Sequence, residues 1–361
     1  MNILELAGFY SNYGSNFIPT LENLDKKLNS LGHHTFYIFS NRNLSKKFYE
    51  WEIPFAEKHN TTLMNFRSYS FVKNVVSFIK KNQINIVHAH FCPSIFLSMI
   101  KRRCKDVLFL EHIHSCPYNN KKTFKAFIKR VRNYLFLDKT ILKICISNSM
   151  MPMVKYSFPK QKVISCINAI DFTRLKKSIR NDSNGFNVLL FGYNYYVKGV
   201  DVAIKAVMKA RKIINDIHLD IVMGNNLLEN KQRIIKEFGE IPDCVSVLEP
   251  THDIVSLYNS HKVFLNASRS EGGSYAILEA YYCGSLCVVS DVPATKESNL
   301  PGVIYFESEV DDDLMKSLLY AYSIKDNYQN NVDYVAESFS VDNWSKNIIQ
   351  IMQLDKKTSE S

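Results

Sequence analysis

Glu271 and Glu279 flank a short polar turn in the run VFLNASRSEGGSYAILEAYYCGSLCVVSD, from Val263 to Asp291. The run reads as one βαβ unit. An apolar, β-branched stretch from Val263 to Ala267 gives way to a loop at Ser268 to Gly273, and Ser274 takes the N-cap place ahead of a helix from Tyr275 to Cys283. Gly284 suits the left-handed cap just past that helix, and Leu286 to Ser290 returns as a buried strand. A right-handed crossover of this kind aims the helix N-terminus at the carboxyl end of the sheet, where open α/β folds bind ligands and backbone amides favour an anion. Gly272 and Gly273 let the amides around Ser274, Tyr275 and Ala276 approach that anion without a Cβ in the way. A carboxylate beside an anion is unfavourable unless it holds something else, and sugar hydroxyls are such a partner.

A second set of reactive side chains lies in the first half of the chain. His88, His90 and Cys92, and again His112, His114 and Cys116, repeat at i, i+2, i+4, a spacing that would place three metal ligands on one strand face. Pro93 and Pro117 follow the two cysteines and take the chain out of the strand. The expectation is therefore no metal, with His88 and His90 hydrogen-bonded in a structural role at a cleft edge. Asp311, Asp312 and Asp313 contain an Asp-x-Asp but precede Leu314 as the acidic first turn of a helix, not as a metal site.

These residues need elements to position them, and the order of elements is doubly wound. Asn2 to Ala7 reads as a strand, Tyr10 to Asn16 as a polar loop with Gly14, Phe17 to Leu31 as a helix and His34 to Phe39 as a strand. Ser70 to Asn82, Phe91 to Lys101 and Thr123 to Phe136 read as helices; Ile84 to Ala89, Val107 to Glu111, Ile141 to Ile146 and Lys162 to Ile167 read as strands. Asp171 to Phe186 is the expected linker, and strands at Asn187, Leu219, Val245, Val263 and Leu286 repeat the alternation. The expected division is 1–180, 181–340, a C-terminal helix at 341–355 that crosses back to the first domain, and a tail at 356–361.

Composition agrees with two folded domains: 361 residues, 46% hydrophobic and 22% charged. No apolar stretch approaches the roughly 20 residues that cross a bilayer, and MNILELAGFY lacks a basic leader region. Eight cysteines, many in apolar strands, suit a reducing compartment, so the expected location is cytoplasmic. A net charge of +10 favours anionic partners. Part of it sits at Lys121, Lys122, Lys125, Lys129, Arg130 and Arg132, on and just ahead of a helix that also carries Phe124, Phe127, Ile128, Val131 and Leu135. Either the apolar stripe packs on its own domain, or the helix faces an anionic membrane surface at the inner face of the cell membrane. Nucleic acid is not expected, because no recognition motif accompanies the charge.

The spacing Glu271-x7-Glu279, followed by Ala280 and Gly284, resembles the signature of the retaining GT-B glycosyltransferases of family 4. Further matches follow in the family's order: Gly14 with Ser15, the IVHAH run from Ile86 to His90, Asn168 to Asp171, and Gly192 with Lys198, Gly199, Val200 and Asp201. The resemblance implies an α/β, GT-B fold, with two Rossmann-like doubly wound domains and an interdomain cleft. It implies transfer from a nucleoside-diphosphate sugar, UDP-linked, to a saccharide or lipid-linked acceptor, with retention and with no cofactor or metal. By the same resemblance Gly14, Ser15, Lys198 and the Gly273–Ala276 amides hold the diphosphate, and Glu271 contacts the transferred sugar. Glu279 binds ribose, and His114, or failing it His112, positions the donor sugar. One departure stands out. The family commonly has an Arg after the glycine equivalent to Gly192; here Tyr193 and Asn194 stand there, leaving Asn194 or Tyr195 as neutral donors. An inactive nucleotide-sugar-binding subunit, or a phosphorylase or synthase of the same fold, is the alternative.

Overall fold

The computed structural model describes residues 1–9, 16–40, 53–115, 123–175, 185–224 and 227–357. The chain forms two compact units, Met1–Ala169 with Phe339–Ser361, and Ile170–Ser338. The first unit runs β1 (Asn2–Ala7), α1 (Phe17–Ser30), β2 (His34–Ser40), α2 (Ile53–Lys58), β3 (Thr62–Met64), α3 (Tyr69–Lys81), β4 (Ile86–His90), α4 (Ser94–Lys101), β5 (Leu108–Ile113), α5 (Phe124–Phe136), β6 (Leu142–Cys145), α6 (Met151–Ser157) and β7 (Val163–Ser165). The second opens with a 3-10 turn at Phe172–Arg174 and continues through β8 (Phe186–Phe191), α7 (Val200–Ala210), β9 (Ile217–Val222), α8 (Leu227–Phe238), β10 (Val245–Leu248), α9 (Ile254–Asn259) and β11 (Val263–Asn266). It ends with α10 (Tyr275–Tyr282), β12 (Leu286–Ser290), α11 (Pro293–Glu297), β13 (Ile304–Phe306), α12 (Asp311–Ile324) and α13 (Val332–Ser338); α14 (Val341–Lys357) belongs to the first unit.

Both sheets are parallel. Their orders are β3-β2-β1-β4-β5-β6-β7 and β10-β9-β8-β11-β12-β13, so each reverses direction once, between β1 and β4 and between β8 and β11. The carboxyl ends of strands at such a reversal diverge into a crevice, the usual ligand position in open α/β sheets. Strands β4 and β12 are buried at every residue, as expected of parallel strands covered on both faces. In α1, Phe17, Ile18, Leu21, Leu24 and Leu28 recur at helical spacing and are buried. Trp344, Ile348 and Met352 of α14 join Leu24 and Leu28 in one core, and Asp342 pairs with Lys27 at 2.5 Å.

Three local readings change. Helix α4 starts at Ser94, not Phe91, because Phe91 turns left-handed, with φ +54°, directly after β4. The ends of β1 and β4 meet there: Gly8 N donates to His90 O at 2.8 Å, and a Cβ on Gly8 would lie 2.3 Å from the Phe91 carbonyl oxygen. Strand β5 runs on to Ile113 and takes His112 into the sheet. Strand β3 and helix α2 were not foreseen, since three and six residues are too short for a period to show. The Asp311–Asp313 run opens α12 as expected, and Asp311 and Asp312 pair with Lys209 of α7 at 2.6 and 2.5 Å. Among the described residues no helix is long and apolar enough to cross a membrane.

Candidate active site

The loops after β8 and β11 bring the second unit's candidates together. Gly192 is buried where β8 ends; a Cβ there would lie 2.8 Å from Ile221 Cγ2 and 3.0 Å from Val200 Cγ2. The turn that follows is closed by Asn194, whose Oδ1 accepts from Val197 N at 3.2 Å and whose carbonyl accepts from Lys198 N at 2.8 Å. Gly199 then starts α7 with φ +62°, and a Cβ on it would lie 2.0 Å from the Ala267 carbonyl oxygen. Only glycine lets the lysine loop rest on the end of β11. As a result Lys198 Nζ donates to Glu271 Oε1 at 2.6 Å. The same oxygen accepts from Ser268 Oγ at 2.6 Å and from Asn266 Nδ2 at 3.1 Å.

Arg269, which sequence reasoning missed, ties the two loops. Its guanidinium makes a bidentate pair with Asp201 at 2.8 and 2.7 Å, reaches Glu309 at 2.6 Å and the Tyr196 carbonyl at 2.6 Å, and lies 4.2 Å from the Tyr196 ring centroid. The hydrogen bonds with Asp201 raise its already high pKa, so it stays a cation. Burial alone would raise the Asp201 carboxyl, but the guanidinium holds it below its ordinary value. These partners take four of its five N–H groups, and two carboxylates balance its charge, so Arg269 does not replace the cation absent after Gly192. Nor does Tyr195 serve as the neutral donor: its hydroxyl donates to Glu237 at 2.8 Å and its ring lies 4.3 Å from the Arg233 guanidinium.

Ser274 occupies the N-cap of α10 in extended conformation, without a capping side-chain hydrogen bond, and Gly273 before it has φ +145°. Glu279 is buried, 8% exposed, and its Oε2 accepts from Tyr258 OH at 3.0 Å. Burial, with the neighbouring carboxylate, pushes the Tyr258 hydroxyl well above its usual pKa and keeps it a donor. Arg174 brings its Nη2 to 3.6 Å from Glu279 Oε1. That residue was also missed. It follows Asp171, whose Oδ1 accepts from Thr173 N at 3.0 Å and Thr173 Oγ1 at 2.6 Å at the start of the 3-10 turn, and a cation at the end of such a turn was the available signal. Gly14, Ser15, Lys121, Lys122 and Cys116 lie outside the described residues.

The first unit collects its histidines at the other reversal point. Glu5 on β1 is fully buried; its two oxygens meet His88 Nδ1 at 3.1 Å and His90 Nε2 at 3.2 Å. His88 and His90 are thus inside the sheet's packing, not at an open edge. His112 is buried beside them, 3.3 Å from His88, with the Trp344 ring 5.9 Å away. His114 is partly exposed, bonded to His90 at 2.9 Å and stacked on Phe91 at 4.0 Å. Ligand atoms of His88, His90 and His112 lie within 4.8 Å of one another, but Cys92 is not among them. Beyond the end of β4 it packs in the core near Glu111, and burial with that carboxylate pushes its thiol well above the usual pKa.

Residues 185–323, which contain Gly192, Lys198, Glu271 and Glu279, match the family described as Glycosyl transferases group 1. The chain is 23% identical over 266 residues to a subunit of the phosphatidylinositol N-acetylglucosaminyltransferase of Arabidopsis thaliana, covering 71% of this chain and 58% of that protein. It is 23% identical over 238 residues to an uncharacterized glycosyltransferase of Haemophilus influenzae, covering 63% and 65%. The chain therefore spans less than two thirds of the length of these curated relatives. Among solved structures, a glycosyltransferase from Rickettsia africae superposes with a TM-score of 0.74 at 17% identity over 97% of each chain. HepE of Anabaena, in complex with UDP and glucose, gives 0.75 at 16% identity over 98% of this chain and 99% of that one. The fold is GT-B.

In this GT-B chain the basic helix α5 is attached through a narrow face. Only Ala126 and Asn133 are buried, Thr123 caps the helix by accepting from Ala126 N, and Arg130 donates to the Tyr156 carbonyl at 3.3 Å. The apolar stripe does not pack on its own domain: Phe124, Phe127, Ile128 and Leu135 are 78, 54, 53 and 61% exposed. That is more apolar surface than an amphipathic helix packed on its own domain leaves in water.

Proposed function

We propose that this protein is a glycosyltransferase that moves a sugar from a UDP-linked donor to a hydroxyl of a saccharide or lipid-linked acceptor, with retention of configuration. The observation that carries the reading is the Lys198–Glu271 contact, built at the β8–β11 reversal inside the stretch that matches Glycosyl transferases group 1. A lysine ammonium paired with a carboxylate beside a glycine-rich helix start is a diphosphate site whose charge is balanced internally until the diphosphate arrives. When a nucleoside diphosphate enters, Lys198 exchanges Glu271 for phosphate oxygens, and the amides of Gly273 to Ala276 add donors at the helix N-terminus. Negative charge grows on the diphosphate as the glycosidic bond breaks, so these contacts stabilise the transition state more than the bound substrate. Glu271, released from the lysine, faces the sugar as it becomes oxocarbenium-like. Glu279, held by Tyr258, accepts from the ribose hydroxyls, and His114 orients the transferred sugar. No divalent metal is needed in this scheme.

The exposed stripe and the cations of α5 support a membrane-facing protein acting on a lipid-linked acceptor in bacterial surface polysaccharide or glycolipid assembly, as does the name of the Arabidopsis relative. The test is a panel of nucleotide sugars read first by thermal shift, since a ligand at 100 times its Kd adds about 2.7 kcal/mol. The stabilising donor then goes into transfer assays in excess EDTA, with the product's anomeric configuration read by NMR. A protein stabilised by no nucleotide sugar would sink the reading; loss of transfer in EDTA, or an inverted product, would correct the mechanism.

A further inference from the structure

The buried carboxylate of Glu5 stands at the head of two chains of imidazoles, and only one of them leads out of the core. One chain is Glu5 Oε1, His88 Nδ1 at 3.1 Å, and from His88 Nε2 to His112 Nδ1 at 3.3 Å. It ends inside, because His112 Nε2 is buried without a hydrogen-bond partner among the described residues. The other is Glu5 Oε2, His90 Nε2 at 3.2 Å, and from His90 Nδ1 to His114 Nε2 at 2.9 Å. Its last member is partly exposed.

Counting protons settles the tautomers. An ionised carboxylate only accepts, so the ring nitrogen facing it must carry a proton. A neutral imidazole has one N–H, so His90 is protonated on Nε2 and its Nδ1 is an acceptor. His114 must then donate from Nε2, which leaves its Nδ1 as a lone pair. The 3.3 Å approach of His90 Nε2 to His88 Nδ1 is a contact between two donors that share the carboxylate, not a hydrogen bond. The charge states agree: burial would raise the Glu5 carboxyl, but its histidine partners hold it at about 2, while burial depresses His90 to about 4 and His114 well below its ordinary value.

We infer that Glu5 and His90 are positioning residues which act through His114, fixing it as the Nε2–H tautomer so that its Nδ1 accepts a hydrogen bond from a substrate hydroxyl. The inference rests on the reading of His114 as the residue that orients the transferred sugar. The structure supplies its own control. His88 and His90 are both buried on β4 and both donate to Glu5, yet only His90 continues to His114.

The experiment compares His90→Gln, whose amide can replace Nε2 toward Glu5 but offers nothing to His114, with His88→Asn, whose amide replaces Nδ1. In the wild type, 15N spectra of the imidazoles should show His90 and His114 as Nε2–H at pH 7.5. His90→Gln should move His114 toward the other tautomer and lower kcat roughly tenfold, whereas His88→Asn should leave the His114 signal in place and kcat within about twofold. Equal kcat losses in the two variants, or a wild-type His114 protonated on Nδ1, would overturn the inference. So would stoichiometric zinc bound to the purified protein, because rings ligated through these nitrogens could not carry the assigned protons. The spectra decide the relay even if no sugar were transferred; absence of transfer by the wild type would count against the glycosyltransferase reading alone.

Discussion

Two glycines with left-handed backbones offer a matched test of how Lys198 is placed. Gly199 has φ +62° and sits against β11, where a Cβ would meet the Ala267 carbonyl oxygen at 2.0 Å. Gly239, just past α8, has φ +86° and nothing within 4 Å of its virtual Cβ. Alanine at Gly239 therefore suffers only from the left-handed conformation, about 1 kcal/mol. Alanine at Gly199 suffers the same and must also push α7 off the end of β11 by about an ångström, adding about 1–3 kcal/mol of overpacking. At about 2–4 °C per kcal/mol for a unit of this size, Gly239→Ala should lower the melting temperature by about 2–4 °C and Gly199→Ala by about 4–16 °C, two to four times as much. Scanning calorimetry reads both. Only Gly199→Ala should also weaken binding of the stabilising nucleotide sugar, since the displaced turn carries Lys198. Equal losses of stability, or unchanged donor affinity in Gly199→Ala, would show that the close approach to Ala267 does not position the lysine.

Lys198→Ala should leave a developing diphosphate charge with amide donors alone and reduce turnover on the order of a hundredfold; unchanged turnover would mean that the donor site lies elsewhere. Acid should loosen the first unit through its histidines. His90, at about 4 in the folded state against 6.5 ordinarily, binds its proton first in the unfolded chain, so its contribution is complete above pH 6.5 and is lost as pH falls toward 4. That loss is on the order of 3 kcal/mol. Glu5, at about 2, adds a loss in the same direction below pH 4.5. Urea midpoints from pH 7.5 to 4.5 should fall more steeply in the wild type than in His90→Gln, and parallel curves would contradict the assignment. On α5, Phe127→Ser with Ile128→Ser should reduce co-sedimentation with anionic vesicles at least tenfold with little change in melting temperature, because both side chains are exposed. A large loss of stability would instead show that the stripe packs on protein.

Much of the second unit was legible because its signals are local. Val263 to Asp291 declares strand, turn, helix and strand by composition, and Gly284, at φ +85°, lies where the sequence asked for a left-handed cap. Ser274 shows the limit: its place at the N-cap was readable, yet its side chain makes no capping hydrogen bond. Arg269 was invisible because its partners Asp201 and Glu309 are remote in sequence and meet it only when β8, β11 and α12 are assembled. The histidines repeat the lesson. Their i, i+2 spacing places them on one strand face, but the carboxylate that organises them is on β1, adjacent to β4 only through the sheet order. Periodicity likewise showed that α5 has an apolar stripe; it could not say which face the domain covers, and the answer turned on the small buried side of Ala126 and Asn133.

The attachment of α14 has a consequence for how the chain is made. The unit that begins at Met1 completes its core with Trp344, Ile348 and Met352, whereas the unit from Ile170 to Ser338 is continuous in sequence. During synthesis at about 5–20 residues per second, the first half leaves the ribosome many seconds before its last helix exists. Through that interval Leu24 and Leu28 lack the part of their core that α14 supplies, and the His88–His112 pair lacks Trp344. The second unit, by contrast, can close as soon as it emerges. The first-encoded unit thus cannot complete its core until the second has been made: its closing helix begins at Val341, just after the second unit ends at Ser338.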